Sequence, residues 1–222
     1  MSLAPEHRPV GGSYTFGGRQ GRMSPTRQRW LDELVPRYVL NQGSNVGALV
    51  AGQRLIVEIG CGKGDATASM APGDAASLVI ACEPNEATCA HLASLLNAAH
   101  ITNVKLWIGD AFDLLGTLGP ASVAEIRTWF PDPWPKPRHA HKRLVTPLRL
   151  GLIVDALAPG GVFRLASDAL DYATEAQAAI NAEPRLRGGI VSRPMERPVT
   201  VFEARGHRDG RVATDIYAVR VG

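Results

Sequence analysis

The residues of this 222-residue chain that could do chemistry fall in a few short stretches. The first is Glu58-Ile-Gly-Cys-Gly-Lys-Gly64, in which Gly60, Gly62 and Gly64 alternate behind an acid. Glycines at a strand-to-helix turn let the backbone approach a ligand closely, and the free N–H groups of the next helix favour an anionic group. The spacing is not the G-x-G-x-x-G of dinucleotide sites, and no Walker A lysine is followed by Ser or Thr. Taken alone, the loop serves tight strand-helix packing as readily as binding. Glu83 follows about 20 residues later, where a carboxylate can accept both hydroxyls of a ribose. Asp110, in Gly109-Asp110-Ala111, is placed to meet an adenine edge. Singly, each acid reads as a helix cap or a solvated turn residue. Together, at three successive strand ends behind a glycine loop, they favour a nucleoside cofactor.

A further stretch is Phe130-Pro-Asp-Pro-Trp-Pro-Lys-Pro-Arg-His-Ala-His-Lys-Arg143. Its prolines cannot continue a helix or a central strand, so it reads as a rigid loop over the strand ends. The loop fixes Asp132 between two prolines, offers Trp134 as a stacking surface and then presents Lys136, Arg138, Lys142 and Arg143. Stacking for a base, a carboxylate for its donor edge and cations for phosphates are what a site receiving one base from a nucleic acid requires. The plainer alternative is a proline-ordered connector. His139 and His141 lack partners at metal-ligand spacing, and the odd cysteines Cys61, Cys82 and Cys89 form no C-x-x-C pair, so neither a metal nor a disulfide framework is expected.

These stretches need elements to hold them. Short apolar, β-branched runs at 54–60, 78–83, 104–110, 125–130 and 161–168 read as strands, and 212–221 as a closing strand. Helical patterns cover 65–71, 85–99, 146–158 and 169–182, and a further helix starts near Pro25 with Ser24 as cap and Trp30, Leu31, Leu34 and Tyr38 on its apolar side. Continuous apolar strands separated by helices mean a parallel sheet covered on both faces, a doubly wound α/β fold with its ligand at the carboxyl ends of the strands. Residues 1–24 read as a flexible basic arm and 25–222 as a single domain. The segment 184–211 is rich in Arg, Gly and Pro.

Length and composition agree with one soluble domain: 45% hydrophobic, 20% charged, no stretch near the roughly 18 apolar residues of a membrane span and no apolar leader core, so a cytoplasmic protein is expected. The net charge of +3 is unevenly spread. Residues 1–40, 127–149 and 185–211 together carry +12 and the remainder −9. Such polarity suits a polyanion docked on basic segments and an acid-lined pocket elsewhere, although charge runs are more often solvated faces.

The chain resembles the bacterial tRNA (guanine-N7)-methyltransferases, of the class I fold that uses S-adenosylmethionine. The likeness runs from about Arg19 to Val221 and rests on GRQGRMSPTRQ, EIGCGKG, the acids of CEP and GDA, FPDPWPKPRHAHKR, Ser167-Asp168 and Arg197-Pro-Val-Thr-Val-Phe-Glu-Ala-Arg-Gly206. It implies a Rossmann-like, mostly parallel seven-stranded sheet with an antiparallel C-terminal strand and helices on both faces. By that resemblance Glu58 lies near the methionine moiety of the cofactor, Glu83 on the ribose and Asp110 near the adenine, with Gly60, Gly62 and Gly64 in the cofactor loop. Asp132 becomes the catalytic aspartate and also borders the cofactor, while Lys136, Asp168, Thr200, Val201, Phe202 and Glu203 become substrate-binding positions. The substrate would be tRNA, methylated at guanosine 46 of the variable loop, by a monomer or homodimer without metal. Arg22, Arg27, Lys142, Arg143, Arg197 and Arg205 are candidates for phosphate contacts. One departure stands out: Val201 replaces the Lys of the family's T-K-F-E, so a cation is missing there. The competing readings are a methyltransferase acting on an exocyclic base amine, a non-catalytic RNA-binding module and a Rossmann dehydrogenase. The glycine spacing and the length speak against the last.

Overall fold

The computed structural model describes residues 23–40 and 46–222. All but the last two residues of the expected arm, Arg22 included, lie outside the described residues. The described residues open with helices α1 (Pro25–Glu33) and α2 (Val35–Tyr38). Ser24 caps the first, its hydroxyl accepting from the Arg27 N–H at 3.3 Å, with Pro25 at the first helical position. There follow α3 (Val46–Val50), β1 (Arg54–Ile59), α4 (Asp65–Met70), β2 (Ser77–Cys82), α5 (Glu86–Ala98), β3 (Val104–Trp107), α6 (Ala111–Leu118) and β4 (Val123–Trp129). After the proline-rich loop come α7 (Pro147–Ala156), β5 (Leu157–Ser167), α8 (Leu170–Ala182), β6 (Leu186–Val191), α9 (Val201–Arg208) and β7 (Thr214–Arg220).

Among the described residues seven strands form one sheet, in the order β3-β2-β1-β4-β5-β7-β6. The strands β1 to β5 run parallel, and β7 lies antiparallel to both β5 and β6. This is the doubly wound, mostly parallel architecture expected, and its physical basis is visible in the strands. All six residues of β2 are buried, as a strand covered on both faces requires. On β1 the residues alternate between two cores. Leu55, Val57 and Ile59 join Leu114, Ile153 and Tyr172 of α6, α7 and α8 on one face. Ile56 joins Leu92 and Leu96 of α5 on the other, with Trp30, Leu31, Leu34 and Tyr38 packed against that core.

Two elements were not legible in the segment 184–211. Strand β6 contains Gly188-Gly189, which weakens any strand pattern. The structure needs Gly188, because a Cβ there would lie 2.1 Å from the Tyr217 carbonyl oxygen. Helix α9 does carry a sequence signal, the T-x-x-E pattern of Thr200 and Glu203. The Thr200 hydroxyl accepts from the Glu203 N–H at 3.1 Å. The third strand is shorter than its apolar run predicts, ending at Trp107, whose indole N–H turns to the Asp110 carbonyl at 2.9 Å.

Candidate active site

The sheet order reverses between β1 and β4, and a cleft opens at the carboxyl ends of the strands there. Its floor and walls come from the turns after β1 (Ile59, Gly60, Gly62), β2 (Cys82, Glu83, Pro84), β3 (Gly109, Asp110, Phe112) and β4 (Trp129, Phe130, Asp132, Trp134). Lys142, Arg149 and Phe202 complete the rim.

The glycine loop shows why these residues are glycines. Gly60, Gly62 and Gly64 have φ of 71°, 55° and 81°, a region that costs side-chain-bearing residues. A Cβ on Gly60 or Gly62 would meet nothing within 4 Å, so the loop leaves open space at the cleft. Gly64 serves packing instead: its Cβ would lie 2.4 Å from Leu92 Cδ1, and it does not line the cleft. Glu83 is fixed from both sides, accepting from the Gly62 N–H at 3.2 Å and the Asn85 N–H at 3.0 Å. Partial burial raises its carboxyl above the ordinary value; the two backbone hydrogen bonds oppose that rise, and the charge of Asp132 adds to it. Asp110 caps α6 through the Phe112 N–H at 2.8 Å.

Asp132 sits exposed at the mouth of the cleft, where the walls remove water from one side of its carboxylate and raise its pKa. A cation bound beside these two carboxylates would favour their ionised forms. The loop around Asp132 is strained: Phe130 and Trp134 adopt φ of 54° and 43°, left-handed values at non-glycine positions. Such backbone persists only where the surroundings enforce it and clusters at functional sites. The Phe130 N–H is tied to the Ala166 carbonyl at 2.7 Å. Lys142 Nζ lies 4.8 Å from the centre of the Trp134 ring, and His139 meets that ring edge-on. The indole N–H groups of Trp129 and Trp134 are buried with no protein hydrogen-bond partner among the described residues.

Several expected site residues stand elsewhere. Glu58 does not line the cleft; 1% exposed, it receives Thr67 Oγ1 at 3.0 Å and Arg127 Nε at 2.8 Å beneath the glycine loop. Its partner Arg127 lies directly opposite in the β1–β4 register, which a one-dimensional reading does not show. Asp168 is bound by Arg211 Nε at 2.8 Å. Of Thr200, Val201, Phe202 and Glu203, only Phe202 reaches the cleft. Thr200 is a cap, Val201 faces outward, and Glu203 is buried against Arg197. Lys136 is exposed on the loop outside the cleft lining.

Two phosphate candidates are buried. Arg197 is 0% exposed between Glu203 and Asp215, and Arg143 is 4% exposed on its side chain and paired with Asp171 and Glu175. Neither guanidinium is presented to a ligand. Arg205 is exposed and Arg27 partly exposed, and neither makes an ion pair among the described residues. Phe112 and Arg149, the latter 5.9 Å above the former's ring, line the cleft without any signal in the sequence, because helix packing alone brings them there.

No helix of the described residues is long and apolar enough to cross a membrane. A family model described as "Putative methyltransferase" matches residues 52–216. Among curated proteins, a tRNA (guanine-N(7)-)-methyltransferase of Nocardioides sp. is 38% identical over 94% of this chain and 87% of its own length. Proteins of the same description from Methylococcus capsulatus (37% identical, 91% of each chain) and Streptomyces coelicolor (33%, 98% of this chain and 86% of the relative) also match. Among solved structures, a 16S rRNA (adenine(1408)-N(1))-methyltransferase from Catenulisporales acidiphilia superposes with a TM-score of 0.55 at 15% identity, covering 82% of this chain and 92% of that one. An rRNA methylase from Streptococcus thermophilus gives 0.54 at 14% identity, over 92% and 100%. Those two likenesses establish the fold, and the sequence relatives establish more: the chain belongs to the tRNA (guanine-N(7)-)-methyltransferase family.

Proposed function

We propose that this protein methylates N7 of a guanosine in tRNA, guanosine 46 of the variable loop, with S-adenosylmethionine as donor. The observation that carries the reading is a cleft in which Glu83 and Asp132 stand beside an aromatic wall of Phe112, Trp134 and Phe202. The residues present fit the cofactor. Gly60 and Gly62 leave room at the loop, Glu83 has its carboxylate oriented by two backbone donors toward a sugar, and Asp110 and Phe112 border the third strand end. When bound, S-adenosylmethionine supplies an electrophilic methyl group on a cationic sulfur, and the carboxylates of Glu83 and Asp132 in the cleft would favour that charge.

Guanine N7 has an in-plane lone pair and no proton to lose, so the protein needs no strong general base. Its residues act by orientation, which can supply most of the acceleration. Asp132 accepts from the N–H edge of the guanine and offsets positive charge developing on the ring. Trp134 and Phe202 offer ring faces for a base swung out of the tRNA. Partly exposed Arg27 and exposed Lys136 and Arg205 meet tRNA phosphates.

The test is incubation of the protein with methyl-labelled S-adenosylmethionine and unmodified tRNA, followed by nucleoside analysis. Label in 7-methylguanosine from the variable loop is expected. Label in an exocyclic N-methyl nucleoside, or none at all, would overturn the proposal.

A further inference from the structure

The two buried arginines bracket the loop that carries Asp132. Beneath Phe130, Arg197 donates from Nε and Nη2 to the two oxygens of Asp215 at 2.6 and 2.8 Å, and from Nη1 and Nη2 to those of Glu203 at 2.7 and 3.1 Å. Its guanidinium carbon stands 5.5 Å from the Phe130 ring centre and 5.9 Å from that of Trp129, both cleft residues. Arg193 extends the cluster, donating to Glu203 at 3.1 Å and to the Arg197 carbonyl at 2.7 Å. On the other side of Asp132, Arg143 donates from Nε to the Pro133 carbonyl at 2.9 Å and is held by Asp171 and by Glu175, the latter at 2.6 Å, both on α8. Phe130 and Pro133 flank Pro131-Asp132, and the fixed φ of the two prolines leaves fewer torsions to absorb a displacement of either anchor before it reaches Asp132.

The charge balance of these clusters excludes a phosphate role. Arg193 and Arg197 face Glu203 and Asp215, a neutral set, and Arg143 faces two carboxylates. Neither cluster offers a polyanion an attractive field. We infer that Arg143 and Arg197 are positioning residues that clamp the strained Asp132 loop from its two ends without touching RNA. The inference rests on the reading of Asp132 as the group that orients the guanine. It also reassigns Glu203 from substrate to clamp, leaving Phe202 as the member of its segment that meets a ligand.

Three variants test it: Arg143→Gln, Arg143→Lys, and the quadruple variant Arg193→Gln/Arg197→Met/Glu203→Gln/Asp215→Asn, which removes the cluster's two positive and two negative charges together so that none of the four is left unpaired. The readouts are kcat and KM for tRNA, affinity for S-adenosylmethionine, and the slope of tRNA affinity against salt. Displacing a catalytic group by about 1 Å costs on the order of 100-fold, so kcat falls by about that factor in each variant. KM and cofactor affinity stay within about threefold, because ground-state binding is untouched. The salt slope is unchanged, whereas loss of a phosphate contact lowers it by about 1. Arg143→Lys separates the roles again: it keeps the charge a phosphate needs and loses the donor fork that holds Pro133. A reduced slope, a raised KM with kcat retained, or unchanged kinetics in a folded variant would overturn the clamp. So would loss of the folded state in all three, which would leave these residues a purely structural role. The wild-type protein run alongside reports separately on the proposed reaction, since the salt slopes are read from binding and need no turnover.

Discussion

Glu58→Gln distinguishes a cofactor contact from a buried strut. Glu58 is 1% exposed and Arg127 3% exposed, with Nη2 and Nε of the arginine 2.7 and 2.8 Å from one carboxylate oxygen and Thr67 on the other. The change removes the carboxylate charge and leaves the guanidinium with Glu125, 3.9 Å away, as its remaining acid. Breaking a buried pair from one side costs about 3–5 kcal/mol, because the remaining charge has lost its partner. For a chain of this size each kcal/mol lowers the thermal midpoint by about 2–4 °C, so a fall of roughly 6–20 °C is expected for the unliganded protein. Glu58→Gln/Arg127→Gln replaces the ion pair by two amides that can hydrogen-bond to each other, and recovers at least half of the loss. The assay is thermal unfolding without ligand, paired with calorimetric titration of S-adenosylmethionine. Were Glu58 a direct cofactor ligand, Glu58→Gln would leave the unliganded midpoint in place and weaken the cofactor tenfold or more. That pattern would refute the assignment.

Three further outcomes follow from the cleft. Asp132→Ala lowers kcat by about 100-fold to 1,000-fold, the size of losing one preorganised charge-stabilising group, with a much smaller loss of cofactor affinity from the missing carboxylate charge; equal losses in both, measured by steady-state kinetics and titration, would remove Asp132 from its orienting role. The raised pKa values of Glu83, above 4.5, and Asp132, above 3.8, make binding of a cation pH-dependent. Their ionised forms attract it, so affinity for cationic S-adenosylmethionine declines as pH falls through those raised values, while that for the uncharged-sulfur product declines less; a constant ratio of the two from pH 7 to pH 4 would count against the acidic cleft. Arg205→Gln lowers the magnitude of the salt slope of tRNA binding by about 0.9, and an unchanged slope would take Arg205 out of the interface.

The residues that build the cleft were readable in sequence because strand ends and turns leave local marks. The alternating glycines, the acids at Glu83 and Asp110 and the prolines around Asp132 each follow from what one backbone position requires, and the period of apolar runs fixes the parallel sheet that assembles them. The closing segment hid β6 because its two glycines answer to the Tyr217 backbone and the Gln177 side chain, neither of which is near in the chain.

What the sequence determined by itself is thus the sheet, the glycine turn, the positions of Glu83, Asp110 and Asp132, and the family that its motifs resemble. What only the tertiary structure decided is the use of the charges. Arginines in the basic segments look alike as letters. In space Arg127 faces Glu58 across two strands, Arg143 meets α8, and Arg197 is enclosed by Glu203 and Asp215, while Arg205 remains exposed. Whether a cation attracts a phosphate or holds up a loop depends on its burial and on carboxylates up to 69 residues away along the chain, and those distances exist only once the chain has folded.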